Sequence, residues 1–256
     1  MASGRGLAAA GLLVLSVGVS ACGPQSEAMT PQSPSAQSSQ SIVAEAGTEG
    51  PVCSGYVALT FDDGPSVDTP RLLETLDELG LKATFFNMGY MTKRFPDHVR
   101  QMVADGHEIG NHTANHPHLT TLSEAEIRRE IVGQRDIERS LGITDVRLFR
   151  PPHGETNPTV GRVAKELGLL EVLWSTDTKD WTKNSAHEIT DLALQVQAGG
   201  IIDLHDQGGL HAIEALPAIA AGLKARGLCA GRVVATSRVQ TSQYLGLPYY
   251  AVAARW

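Results

Sequence analysis

The chain has 256 residues, 42% of them hydrophobic, and a formal net charge of -7. Acidic and basic residues are interspersed without a basic stripe, so we predict no nucleic-acid partner. Residues 51–256 are long enough for one compact domain with a sizeable core.

The N-terminal segment has the pattern of an export signal. Arg5 precedes an apolar run at 7–19 that is too short to span a bilayer. The residues Val19-Ser-Ala-Cys22 resemble a bacterial lipobox, in which the cysteine receives a lipid. We therefore expect 1–21 to be a lipoprotein signal peptide and Cys22 to be lipidated. An ordinary secretory signal with an incidental cysteine is the alternative, and either reading makes the protein exported.

Residues 22–50 are rich in Ser, Gln, Pro and Ala and contain almost no large apolar side chains. Such a segment cannot bury enough surface to fold, so it is predicted to be a disordered tether. Cys53 and Cys229 flank the predicted domain and, in an exported protein, are predicted to pair as a disulfide. Two separate buried thiols are the alternative.

From residue 56 onward, short apolar runs alternate with segments of helical periodicity. The predicted strands are 56–61, 83–87, 108–110, 146–149, 171–175, 200–205 and 232–235. The predicted helices are 69–79, 96–105, 123–141, 158–167, 185–197 and 216–226. Single helices between strands predict an α/β fold with parallel strands, and about seven strands fit a distorted (β/α) barrel better than a small open sheet.

Polar residues with catalytic potential follow the carboxyl ends of these predicted strands. They are Asp62, Asp63, His112, Arg150, Asp177, Asp180 and His205. In β/α barrels this end carries the active site.

Asp63 and His112 from this set, together with His116 four residues further on, have the donor types of a metal site. Asp63 supplies oxygen and His112 and His116 supply nitrogen, which zinc accepts while keeping positions open for water and substrate. Two histidines four residues apart can face the same way from one helical turn. Taken alone, the spacing is more often that of two surface histidines.

Five segments, in order, match a known family. They are Thr60-Phe-Asp-Asp-Gly-Pro-Ser66, His112-Thr-Ala-Asn-His116, Arg150-Pro-Pro-His-Gly154, Asp177-Thr-Lys-Asp-Trp181 and Leu204-His205-Asp206. The chain resembles the polysaccharide deacetylases of carbohydrate esterase family 4, which contain the NodB homology domain. The resemblance implies that 51–256 is the catalytic domain.

The resemblance also implies roles for the catalytic residues. Asp63, His112 and His116 would bind the metal, usually Zn²⁺, with Co²⁺ or another divalent metal as alternatives. Asp62 would be the general base and Arg150 would hold it. His205 would be the general acid, positioned by Asp180, although Asp177 could exchange roles with Asp180. A surface ion pair for Arg150 and a structural core position for His205 are the alternatives.

Three further residues would contact the substrate. Trp181 and Leu204 resemble the residues that wall the pocket for the acetyl methyl group, and both could equally be ordinary core. The backbone N–H of His153 would stabilise the oxyanion. His153 stands where the family commonly has tyrosine, which can alter how sugars sit in the groove.

The predicted function is metal-dependent removal of acetyl groups from N-acetylated sugars of a β-1,4-linked polysaccharide. Peptidoglycan is the first candidate and chitooligosaccharide the second. Acetylxylan esterase activity and an inactive glycan-binding lipoprotein are the alternatives. The expected partners are a cell-wall or extracellular polysaccharide and, through the lipid anchor, the membrane. We expect the protein on the outer face of the cytoplasmic membrane, with secretion as the alternative.

Overall fold

A computed structural model describes residues 53–183, 185–207, 209–242, 246 and 248–256. The predicted signal peptide, Cys22 and the tether at 22–50 lie outside these residues and stay predictions. Within the described part of the chain, no helix is long and apolar enough to cross a membrane.

The described residues form nine strands, seven α-helices and three short 3-10 helices. The strands are β1 (Gly55–Asp62), β2 (Thr84–Asn87), β3 (Glu108–Asn111), β4 (Leu148–Phe149), β5 (Leu170–Glu171), β6 (Thr176–Asp177), β7 (Ile201–His205), β8 (Leu228–Thr241) and β9 (Pro248–Ala254). The α-helices are α1 (Thr69–Glu78), α2 (Gly89–Arg94), α3 (Pro96–Ala104), α4 (Glu124–Ser140), α5 (Pro158–Glu166), α6 (Ala186–Ala193) and α7 (Leu210–Ala225). The 3-10 helices are Leu119–Thr121, Pro152–Gly154 and Asp180–Thr182.

The sheet is a nearly closed barrel of mostly parallel strands, as predicted. Its strand order is β5-β4-β3-β2-β1-β7-β6, and every pair in this order is parallel. β8 pairs in parallel with β1 and antiparallel with β9. Because the seven strands run the same way, their carboxyl ends meet at one end of the barrel.

The strand predicted at 171–175 is wrong as a single element. Glu171 ends β5 at one edge of the sheet, and Thr176 begins β6 at the other. The connecting residues cross the gap: Val172 donates its backbone N–H to Phe149 and Ser175 donates to Ile201. The apolar run therefore spans the gap between the two edges of the sheet. Because it is buried there, its sequence has the pattern of a single buried strand.

The last two predicted elements also differ from the observed ones. The last helix begins at Leu210 rather than at 216 and contains Pro217. The last predicted strand, 232–235, is part of the longer β8, which forms a hairpin with β9. α2 was not predicted, since six residues give too few turns for a clear helical period.

The side chains of β1 and β7 point alternately into two buried layers. Leu59, Phe61 and Leu204 pack in the cluster beneath the helices, whereas Ala58 and Ile201 pack in the cluster inside the barrel. Successive side chains of a strand point to opposite faces, so polar residues in phase with Ala58 and Ile201 point into the barrel. This phase places Thr60, Asp62, Asp203 and His205 on the inner face.

A disulfide joins Cys53, just before β1, to Cys229 in β8, with Cα atoms 5.7 Å apart. It lies at the amino-terminal ends of both strands. It is therefore at the opposite end of the barrel from the carboxyl ends described next.

Candidate active site

A cavity of about 430 Å³ opens at the carboxyl end of the barrel. Its lining residues are Asp62, Asp63, His112, His116, His153, Trp174, Asp177, Trp181, Asp203, His205 and Gln207. Most were predicted from the sequence as site residues or as polar residues following strands. Trp174, Asp203 and Gln207 were not singled out.

The adjacent acids Asp62 and Asp63 both reach this cavity because the chain turns between them. Asp62 ends β1 on its inner face, and Asp63 has a positive φ of 68°. Without that turn, strand alternation would send the second side chain to the opposite face. Left-handed backbone is uncommon outside glycine but tolerated by aspartate.

Asp63 lies against two histidines. Its Oδ1 is 3.1 Å from Nε2 of His116 and 3.4 Å from Nε2 of His112. The Nδ1 of His112 donates to the backbone carbonyl of Arg150 at 2.7 Å, which leaves Nε2 as the atom facing Asp63. Burial alone would raise the pKa of Asp63, but the adjacent imidazoles of His112 and His116 lower it. The carboxylate is therefore held ionised.

This set fits a divalent cation. The donor atoms of Asp63, His112 and His116 all lie within 4.8 Å of one another. Oδ1 of Asp63 is buried and has no hydrogen-bond partner among the described residues. A buried charged oxygen without a partner is costly unless a cation satisfies it. One oxygen and two nitrogens are donors that zinc accepts.

The two histidines do not lie on a helical turn, so that part of the prediction is wrong. His112 follows β3, and the loop from 112 to 118 has positive φ at Thr113 (69°) and at His116 (58°). The backbone N–H of His116 donates to the Thr113 hydroxyl at 3.0 Å, and the N–H of Thr113 donates to Asn111 at 3.0 Å. These bonds fold the loop back and bring both rings together, 4.9 Å between centroids.

Arg150 is fully buried beneath Asp62, which excludes the surface ion pair. Its Nη1 donates to Asp62 Oδ1 at 2.8 Å, to Asp203 Oδ1 at 2.7 Å and to the Thr60 hydroxyl at 2.9 Å. The guanidinium lies over the Phe86 ring at 4.2 Å. Asp62 is thus oriented by a buried cation that is itself hydrogen-bonded to two further side chains.

Asp203 is the main acid that sequence reasoning missed. Burial and the nearby charge of Asp62 raise its pKa, and Arg150 opposes this only in part. Asp203 lies within the apolar run of β7, so it was read as part of a strand. Its position two residues before His205 was the available signal, because i and i+2 share a face of a strand.

His205 is paired with Asp180. Its Nδ1 donates to Asp180 Oδ1 at 2.8 Å, and its backbone N–H donates to Oδ2 at 2.8 Å. Burial works against the charged imidazole, but the bond to Asp180 and the charges of Asp203 and Asp180 outweigh it and raise the pKa of His205 to about 10. Asp177 instead accepts the Lys179 N–H. The geometry favours Asp180 as the partner of His205.

His153 and Trp181 form part of the cavity wall. His153 has a φ of 59°, and its ring contacts His116 at 4.5 Å and stacks on His118 at 4.2 Å between centroids. Burial, then the charge of His116, lowers the pKa of His153. Trp181 is 64% exposed, as expected of a residue at the rim.

The prediction that Leu204 walls the pocket is wrong. Leu204 alternates with Asp203 and His205 in β7, so its side chain points away from the cavity. It is fully buried in the core cluster that includes Phe61 and Leu216. On the inner face of β7, the residue that lines the bottom of the cavity, here called the floor, is Asp203.

Comparison with known proteins gives a consistent set of similarities. A family model described as polysaccharide deacetylase matches residues 49–172. A peptidoglycan-N-acetylglucosamine deacetylase of Bacillus cereus is 38% identical over 199 residues, which are 76% of this chain and 72% of the relative. A chitooligosaccharide deacetylase of Sinorhizobium fredii is 39% identical over 167 residues, 64% of this chain and 76% of the relative.

Two more similarities are to a xylan deacetylase and to a carbohydrate esterase. A bifunctional xylanase/xylan deacetylase of Cellvibrio japonicus is 37% identical over 185 residues, which are 72% of this chain but only 28% of that longer relative. The structure of a family 4 carbohydrate esterase from Streptomyces lividans, in complex with acetate, has a TM-score of 0.69 and 37% identity. The match covers 79% of this chain and 98% of that one.

Proposed function

The chain belongs to the polysaccharide deacetylase family, carbohydrate esterase family 4, and from this premise we propose that it removes acetyl groups hydrolytically from N-acetylated sugars of a β-1,4-linked polysaccharide. One observation carries the proposal. A single cavity brings together the metal-type set Asp63, His112 and His116 with two proton-transfer groups in opposite roles, Asp62 and His205.

We propose Zn²⁺ as the metal, held by Asp63, His112 and His116, with Co²⁺ or another divalent metal as alternatives. A zinc ion in such a site polarises a carbonyl and makes a bound water more acidic. The donor set supports this because three protein ligands leave coordination positions open, as in catalytic zinc sites.

The remaining steps belong to side chains of the protein. Asp62 accepts the proton of the attacking water, and Arg150 keeps the Asp62 carboxylate aimed at that water. The backbone N–H of His153 hydrogen-bonds to the carbonyl oxygen as that oxygen gains negative charge. His205, held protonated by Asp180, gives its proton to the departing nitrogen. The products are acetate and a free amine on the sugar.

Peptidoglycan is the first-choice substrate and chitooligosaccharide the second. The similarity to relatives named for these two substrates supports both. We also propose export and a lipid anchor at Cys22 on the outer face of the cytoplasmic membrane, which would place the domain next to wall polymer. These rest on the lipobox-like sequence.

Ester hydrolysis on acetylxylan is the second candidate, favoured by the similarity to the xylan deacetylase and the carbohydrate esterase. The same residues would perform it. An alkoxide leaves more readily than an amine anion, so ester hydrolysis depends less on an acid that protonates the leaving group.

The test is acetate release by the full-length, zinc-loaded protein from peptidoglycan, N-acetylchitooligosaccharide and acetylxylan, with His205→Gln beside the wild type. N-deacetylase function predicts the highest kcat/KM on one of the two N-acetylated polymers and a large loss in the variant. Preference for acetylxylan with a small loss would indicate the esterase. No release from any of the three by folded protein would indicate a glycan-binding role.

A further inference from the structure

The cavity floor is polar where a methyl group would be expected to bind. Asp203 and Trp174 both line the cavity and are only 2% and 5% exposed. Asp203 and His205 point to the same face of β7, and Asp203, two residues earlier in the strand, lies deeper in the barrel. A carboxyl group therefore stands below the proposed acid and base.

The chemistry of the site determines what meets this floor. The carbonyl oxygen of a bound amide must face the metal-type set, and its nitrogen must face His205. A polymer cannot enter a cavity of about 430 Å³, so the sugar on that nitrogen stays at the mouth near Trp181. The third substituent of the carbonyl carbon, the acyl side group, then points inward to Asp203 and Trp174.

Hydrogen-bonding groups on the floor are incompletely satisfied. Oδ1 of Asp203 accepts a hydrogen bond from Arg150, and a carboxyl group has further acceptor capacity on its second oxygen. The indole Nε1 of Trp174 and the Nη2 of Arg150 are buried donors without a partner in the described part of the chain. The Arg150 guanidinium lies 5.3 Å from the Trp174 ring centroid. The cavity is thus lined by a carboxyl group with acceptor capacity and by an indole whose donor is unpaired.

A methyl group satisfies none of these groups, whereas a hydroxyl can both donate and accept. A site built to hydrogen-bond a substrate hydroxyl discriminates strongly against the analogue that lacks it, because its own polar groups are then left unpaired. The floor is therefore better matched to a hydroxylated acyl group than to acetyl.

We propose that Asp203 makes this cavity select N-acyl groups with a hydroxyl on the carbon next to the carbonyl, of which N-glycolyl is the smallest. This inference rests on the proposed function and names its substrate class more closely. The reaction balances as before: water adds to the carbonyl carbon, the C–N bond breaks, the nitrogen takes a proton, and glycolate leaves. Asp203 accepts a hydrogen bond from the glycolyl hydroxyl and takes no part in bond breaking.

The experiment compares glucosamine oligomers that carry N-acetyl, N-glycolyl or N-propionyl groups, with free amine as the readout and full-length, zinc-loaded protein. Propionyl matches glycolyl in size and lacks only the hydroxyl, so it separates polarity from volume. The wild type should process the glycolyl oligomer with a kcat/KM about tenfold above that of the propionyl oligomer, the value of one hydrogen bond whose loss leaves a buried polar group unpaired.

Substitutions at Asp203 test its role through the same ratio, which cancels any general loss of activity. Asp203→Leu should bring the glycolyl-to-propionyl ratio to about one or below, and Asp203→Asn should lower it in part. Glu138→Gln, which removes a buried carboxyl outside the cavity lining, should leave the ratio unchanged. If Asp203→Leu fails to fold, the wild-type ratio and Asp203→Asn still decide.

Two results separate the possible failures. Hydrolysis of the acetyl oligomer with a wild-type glycolyl-to-propionyl ratio near one, or a ratio unchanged by Asp203→Asn and Asp203→Leu, overturns this inference and leaves the deacetylase intact. If the protein hydrolyses none of the three oligomers and neither peptidoglycan nor acetylxylan, the proposed function itself is overturned.

Discussion

Asp62 and Asp63 are chemically identical neighbours, and their surroundings give them different roles. Asp62 accepts a hydrogen bond from the buried Arg150, whereas Asp63 faces the imidazoles of His112 and His116. Their types and positions in the motifs were readable from the sequence. Asp203 was not, because one acid inside an apolar run carries no motif, and its role depends on which residues the barrel brings opposite it.

The residue with the clearest pH signature is His205. Its pKa is raised to about 10, chiefly because the bond to Asp180 outweighs burial, so the imidazole is charged and able to donate at neutral pH. A bound divalent cation would repel this charge and lower the value. The change in the pKa of His205 between the wild type and a variant is therefore more informative than the value itself.

Asp180→Asn should lower the pKa of His205, so that kcat/KM begins to fall at a lower pH than in the wild type. The check is the pH–rate profile of both proteins on the same N-acetylated oligosaccharide. Asp177→Asn is the matched control and should move the alkaline limb less, since Asp177 makes no hydrogen bond to His205. Equal profiles for wild type and Asp180→Asn would exclude Asp180 as the positioning residue.

At the scale of elements, the sequence predicts long segments better than short ones. The helix predicted at 123–141 is observed as α4 (Glu124–Ser140), and its amino-terminal end has a capping box of Ser123 and Glu126. β5 and β6 have only two residues each, too few to show a strand period. The loop that carries His112 and His116 depends on left-handed backbone at non-glycine residues, which no local pattern signals.

α4 also carries an unusual buried acid. Glu138 is fully buried, and Gln134 one turn earlier donates to it at 2.9 Å. Burial raises its pKa to about 8 despite that bond. The folded protein therefore keeps this carboxyl neutral at physiological pH, which the unfolded chain does not.

Glu138→Gln should stabilise the protein relative to the wild type increasingly as pH rises. Below the ordinary pKa of 4.5 the carboxyl is protonated in both states. Above it, only the unfolded chain releases the proton, so wild-type stability falls by up to roughly 1.4 kcal/mol per pH unit until the folded pKa is reached. Urea unfolding at about pH 5 and pH 8 measures the difference. Glu74→Gln, at an exposed site on α1, should show no such trend, and a pH-independent Glu138→Gln difference would contradict the account.

At the scale of the whole molecule, the fold separates stability from chemistry between the two ends of the barrel. Parallel strands gather the polar residues at their carboxyl ends, and this is why the candidate site could be located from sequence alone. The disulfide of Cys53 and Cys229 lies at the other end and encloses most of the described chain, with a sequence separation of 176.

Replacing both cysteines, Cys53→Ser with Cys229→Ser, should lower the free energy of unfolding by at most about 5 kcal/mol, since a long loop in the unfolded chain is no longer closed. Acetate release at low temperature should change little, because the bond is remote from the cavity. Denaturant unfolding with and without reductant checks this. The double variant should be insensitive to reductant, and equal stability of wild type and variant would show that the bond does not stabilise the fold.

The central claim is that a divalent metal and Asp62 act together on water in this cavity. The most direct measurement is acetate release from N-acetylchitooligosaccharide by metal-free and zinc-loaded protein, for wild type and Asp62→Asn, with zinc binding measured for both. We predict that both proteins bind zinc and that only the loaded wild type is active. The variant should lose at least about 100-fold in kcat, the usual contribution of a general base. Full activity of the metal-free wild type, or of zinc-loaded Asp62→Asn, would contradict the account.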